Sequence, residues 1–158
     1  AGTFSRYALQ PRSPPPLVVL VIAAAMWALS IPLPAIALPW PLRVAAALVI
    51  ASIGAAFSIA GAIAFHRAKT TVNPLRPELA SALVTTGIYR ISRNPMYVGM
   101  ALVLIAWAVG LASPVALIGP AAFIMYMNRF QIAPEEQALV AKFGQEYAAY
   151  RSRVLRWL

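Results

Sequence analysis

Long apolar runs separated by short polar breaks dominate this chain. The first run extends from Leu17 to about Leu38, and the second from about Arg43 to Phe65. The third covers Pro95 to Leu111, and the fourth starts after Ser113-Pro114 and ends near Phe130. A helix needs about 20 apolar residues to cross a bilayer, so each run predicts a membrane-spanning helix. Pro32 and Pro34 should kink or end the first one early, and Pro120 could kink the fourth. Pro39-Trp40-Pro41 predicts a tight turn with Trp40 at the interface. Gly54, Ser58 and Ala62 repeat at i, i+4, i+8, a small-residue face for close helix packing.

From Pro134 the pattern changes. Leu139, Phe143 and Tyr147 recur at i, i+4, i+8, with Tyr150 three residues on, which predicts an amphipathic helix. The expected fold is therefore all-α: a polytopic membrane helical bundle of about four transmembrane helices, closed by a C-terminal cytoplasmic amphipathic helix. Residues 1–16 read as a polar arm, because Pro14-Pro15-Pro16 should resist a helix. Residues 17–158 read as one membrane-embedded domain, with no internal repeat. Ala35-Ile36-Ala37 resembles a signal-peptide cleavage site, but the apolar run before it is long for a signal sequence, and a retained span is expected.

Composition sharpens this picture. Of 158 residues, 61% are hydrophobic and 11% charged, the profile of a membrane protein. The net charge of +9 would suggest nucleic acid in a soluble protein. Here the basic residues flank apolar runs, so membrane lipids with anionic headgroups are the expected partner, not nucleic acid. The chain has no cysteine, no aspartate and one histidine, His66. That removes disulfides and thiolate chemistry, and argues against a resident metal. Of thirteen Lys and Arg, only Arg43 falls near one predicted face; the other twelve share the opposite face with both ends of the sequence. The positive-inside rule places that face in the cytoplasm of an inner or cell membrane.

All candidate chemistry lies on the same face. Asn94 suits a helix N-cap and Pro95 the first helical position, with Arg93 just outside and Tyr97 and Gly99 in the first turns. Free N–H groups at such a start favour a polar or anionic ligand. Glu135 and Glu136 are half of the four acids in the chain. Following Pro134, they suit a helix start, and they could also bind hydroxyls or an ammonium group.

Arg93-Asn94-Pro95-Met96-Tyr97-Val98-Gly99, followed after about thirty-five residues by Glu135-Glu136, resembles the RHPxYxG…EE signature. That signature belongs to the isoprenylcysteine carboxyl methyltransferase and phospholipid methyltransferase superfamily of integral-membrane enzymes. Thr86-Gly87-Ile88-Tyr89 and Phe143-Gly144-x-x-Tyr147-x-x-Tyr150 are also similar to it, and the resemblance covers about residues 70–158. It implies S-adenosyl-L-methionine as methyl donor. On that pattern Tyr89, Arg93, Asn94, Tyr97, Gly99, Glu135 and Glu136 would line the cofactor pocket. Asn94 replaces the family histidine; it can hydrogen-bond but cannot titrate near neutral pH, so a general-base role is in doubt there.

The acceptor should be lipophilic, such as an isoprenylcysteine carboxylate, entering sideways from the bilayer. Arg151 or Arg153 could position such a carboxylate. Three alternatives stand beside this reading. A phospholipid N-methyltransferase would share the cofactor site. An NADPH-dependent membrane reductase of related fold would differ in cofactor. A non-catalytic lipid-binding membrane protein would use neither.

Overall fold

The computed structural model describes residues 13–69 and 81–158. Expectations for the arm up to residue 12 fall outside them. Among the described residues every regular element is helical, and the one β-type contact is an isolated bridge between Ser92 and Leu155.

Helix α1 spans Pro15–Ser30, starting two residues before its apolar run and ending well short of the run's end near Leu38. It begins inside the triple proline, which the sequence reading had placed in the arm. Prolines fit a first helical turn, where their missing N–H groups would have no intrahelical partner. It ends before Pro32, as a proline break should, with Ser30 Oγ donating to Met26 O at 2.7 Å.

Helix α2 spans Trp40–Arg67, 28 residues, or about 42 Å at 1.5 Å per residue. Among the described residues it is the one helix long and apolar enough to cross a membrane. Only 17% of its most apolar stretch is buried within the molecule. A soluble protein would cover such a helix; here Leu48, Val49, Ile53, Ile59 and Ile63 stay exposed and suit hydrocarbon.

Helix α3 spans Pro95–Leu111 and, like α1, is apolar but shorter than α2. A turn at Pro114–Leu117 leads into α4, Ile118–Tyr126. Pro120 sits in the first turn of α4, where it costs no hydrogen bond, so it starts the helix and does not kink it. A six-residue π-helical turn, Met127–Ile132, then joins α4 to α5, Ala133–Arg153. Helices α1, α3 and α4 enclose a core of Met26, Tyr97, Leu104, Phe123, Met127 and Ile132.

The α2–α3 seam is close. A Cβ on Gly54 would lie 2.7 Å from Gly99 O, and one on Gly61 2.8 Å from Met96 Cγ. The small face is thus Gly54, Ser58 and Gly61; Ala62 is exposed.

The amphipathic face of α5 packs as its spacing predicts. Tyr147 and Tyr150 are buried with Tyr89, Val84 and Ala64, and Leu139 and Phe143 lie against them. The helix breaks at Gly144, with φ 50° and ψ −119°. No neighbour lies within 4 Å of a Cβ built there, so glycine serves the backbone conformation alone. Gly144→Ala should therefore destabilise by about 1–3 kcal/mol and lower the melting temperature. A straight helix would give the opposite sign, since alanine is the better helix former. A raised melting temperature in detergent would refute the break.

Candidate functional site

The site is assembled where the start of α3, the start of α5 and residues 154–158 meet. Arg93 lies just before α3. Its Nη1 donates to Glu136 Oε1 at 2.8 Å and to the Tyr147 hydroxyl at 3.2 Å. The Arg93 side chain is 10% exposed, as is that of Glu136. Arg93 Nε is buried with no hydrogen-bond partner.

Glu136 also takes two bonds from Arg156, Nε to Oε1 at 3.0 Å and Nη2 to Oε2 at 2.6 Å. One carboxylate thus holds two guanidiniums, the second in a forked pair. Glu135 differs: its Oε1 accepts from the Tyr97 hydroxyl and from Gln131 Nε2, both at 2.7 Å. Of the two adjacent glutamates, Glu136 is thus the one that pairs with both guanidiniums. The π-helical turn contributes by carrying the buried Gln131. Such turns recur at functional sites.

The sequence reading missed the last five residues, which form a strap across this site. Arg93 N donates to Leu155 O at 2.9 Å, and Trp157 Nε1 donates to Asn128 Oδ1 at 3.0 Å. Asn94 Nδ2 donates to Arg156 O at 3.0 Å. This corrects the capping role expected for Asn94, whose side chain makes no cap bond. The passing strap presents a carbonyl, which takes the amide's donor end. The buried Ser92 Oγ instead accepts from Asn94 N at 3.1 Å.

Other expected site residues divide. Tyr89 is buried, and its carbonyl accepts from the Tyr150 hydroxyl at 2.7 Å. Burial pushes the hydroxyls of Tyr89 and Tyr150 well above the usual tyrosine range. Burial, then the charge of Glu136, raises Tyr147 likewise. All three stay neutral at physiological pH. The bonds to Glu136 push the Arg156 guanidinium above its ordinary value, against its partial burial. Gly99 faces α2, where Ser58 Oγ and Gly54 O fill the space beside it, so its close approach serves a helix and not a ligand. Arg151 and Arg153 are exposed on the last turn of α5. Arg156, beyond them, joins Arg93 at Glu136.

A ligand suited to this cluster would offer a carboxylate or other acceptor to the buried Arg93 Nε, and an ammonium group or hydroxyls to the carboxylates. Among the described residues no group of three His, Cys, Asp or Glu is placed to hold a metal ion.

The sequence model of the phospholipid methyltransferase family matches residues 42–146, from the start of α2 past the glutamate pair. The chain belongs to this family. Over 92 residues it is 34% identical to protein-S-isoprenylcysteine O-methyltransferase B of Arabidopsis thaliana, covering 56% of this chain and 45% of that enzyme. Over 72 residues it is 36% identical to the human protein-S-isoprenylcysteine O-methyltransferase, covering 46% of this chain and 25% of that enzyme. The chain thus spans less than half the length of either enzyme. An uncharacterised protein of Haemophilus influenzae is 46% identical over 63 residues, which is 40% of this chain and 100% of that protein. No solved structure matches the chain.

Proposed function

We propose that this protein is an integral-membrane methyltransferase. It binds S-adenosyl-L-methionine beside Arg93, Tyr97, Glu135 and Glu136, and methylates a lipophilic acceptor that enters from the bilayer. The observation that carries this reading is the Arg93 Nε, a buried donor without a partner on a guanidinium that pairs with the Glu136 carboxylate. A buried unsatisfied donor costs about 1–3 kcal/mol, which the carboxylate of an amino-acid ligand would relieve. The ammonium or ribose hydroxyls of the same ligand would suit Glu135.

When bound, adenosylmethionine supplies a methyl group already activated for transfer. The work left to the chain is to bind, align and exclude water. The neutral hydroxyls of Tyr97 and Tyr147 orient Glu135 and Arg93. The strap covers the start of α3. An isoprenylcysteine carboxylate is the favoured acceptor, with Arg151 or Arg153 to attract it, by analogy with the two relatives of that name. A phospholipid amine is the second reading, favoured by the description of the family itself. Both place four apolar segments in the membrane, with the site on the cytoplasmic side where twelve of the thirteen Lys and Arg fall.

Calorimetry in detergent should detect adenosylmethionine binding and no NADPH binding. Glu135→Gln should weaken the former about ten- to a hundredfold by removing one charged hydrogen bond. Binding of NADPH in place of adenosylmethionine would sink the methyltransferase reading. Transfer of labelled methyl to a prenylcysteine analogue or to phosphatidylethanolamine then separates the two acceptors.

A further inference from the structure

We propose that the turn at Arg90-Ile91 and the strap at 154–158 form one docking surface for a bilayer rich in anionic lipid. Three observations carry it. The bridge from Ser92 to Leu155, with the Arg93 N bond to Leu155 O, sets the two segments side by side. Their apolar side chains are uncovered: Ile91 is 56% exposed, Leu155 65% and Leu158 62%. Three cations close by in sequence, Arg90, Arg151 and Arg153, are exposed as well.

Position in the fold selects the occupant. The strap is fixed at Arg93 and Asn94, where apolar α3 begins. It is fixed again at Asn128, just past apolar α4, beside the exposed Arg129 and Phe130. A segment stretched between the ends of two apolar helices lies at the depth of lipid headgroups. Leucine and isoleucine side chains there reach acyl chains, while arginines at the same level meet lipid phosphates. A soluble partner would have to bind at that depth, against the membrane.

Docking has a consequence for the site. The strap supplies Arg156, which shares Glu136 with Arg93. A bilayer that holds the strap therefore holds that cluster. This consequence rests on the function proposed above; the docking itself rests on the membrane placement of α3 and α4 in that reading and not on the methyltransferase activity.

The chain has no cysteine, so the test uses one introduced thiol. Full-length Leu155→Cys, carrying a polarity-sensitive fluorophore, is placed in nanodiscs of phosphatidylcholine alone, or of equal phosphatidylcholine and phosphatidylglycerol. The expected result is blue-shifted emission in the mixed discs and water-like emission in the neutral ones. Raising salt to about 1 M, where screening acts within about 3 Å, should reverse the shift. Arg90→Gln and Arg153→Gln should each lower the docked-to-free ratio about fivefold. Identical emission in the two lipid mixtures, or a shift that survives high salt, overturns the proposal. The salt arm decides the question even if an arginine variant fails to fold. Emission reports docking whether or not the chain binds adenosylmethionine.

Discussion

Glu136→Leu is expected to destabilise the fold by about 3–5 kcal/mol, the cost of leaving a buried charge without its partner. Arg93 carries that charge. Its side chain is 10% exposed, and its remaining side-chain bond is to the Tyr147 hydroxyl. Arg156 adds less, because its side chain is 34% exposed and water screens it. Glu136→Gln should cost less than the leucine variant, since an amide oxygen can still accept from Arg93. The sequence treats Glu135 and Glu136 as equivalent cofactor ligands. Their partners separate them: Glu135 accepts from the Tyr97 hydroxyl and Gln131, whereas Glu136 pairs with two guanidiniums, so Glu135→Gln should lower the melting temperature less than Glu136→Leu while weakening ligand binding. Thermal unfolding in detergent of the three variants checks this order. Equal melting temperatures for Glu136→Leu and Glu135→Gln would show that the Arg93–Glu136 pair does not support the fold.

Legibility in the sequence followed the range of the interactions. Helix α2 could be read from its own run of apolar residues, and the buried face of α5 from the i, i+4 recurrence of Leu139, Phe143 and Tyr147. The seam at Gly54 and Ser58 was visible as small residues at helical spacing. The meeting of Arg93 with Glu136 was implied only by their shared membrane face and by family resemblance. The strap was invisible, because Asn94 and Arg156 meet across 62 residues with no periodicity to announce it. Asn94 misled for a related reason. Its type and place suit a cap, and local rules do not know that a carbonyl from the chain's other end will arrive first. The π-helical turn left no mark either, since Met127–Ile132 is as apolar at its ends as an ordinary helix. Four crossings were expected from hydropathy. Among the described residues one helix meets the length on its own, and the fourth apolar run is divided between α4 and the π-helical turn.

Gly99→Ala should destabilise by about 1–3 kcal/mol, the usual cost of overpacking, and lower the melting temperature accordingly. The added methyl would run into Ser58 Oγ and Gly54 O, and would lie 3.0 Å from Ser58 N. Ser58 can rotate, though its hydroxyl now donates to Met96 O at 3.3 Å. The Gly54 carbonyl belongs to the backbone of α2 and cannot yield without moving the helix. The whole α2–α3 seam must therefore open by some tenths of an ångström. A pocket role for Gly99, as the resemblance implied, leads to a different result: weaker adenosylmethionine binding at an unchanged melting temperature. A second substitution separates the two. Ser58→Ala in the Gly99→Ala background removes one of the two nearest obstacles, so it should recover part of the lost stability; neighbours in one seam are not additive. A ligand pocket on the far side of α3 would not respond to residue 58. If the double variant melts no higher than Gly99→Ala alone, the clash at Ser58 is not what the alanine costs, and Gly99 returns to the list of candidate ligand residues.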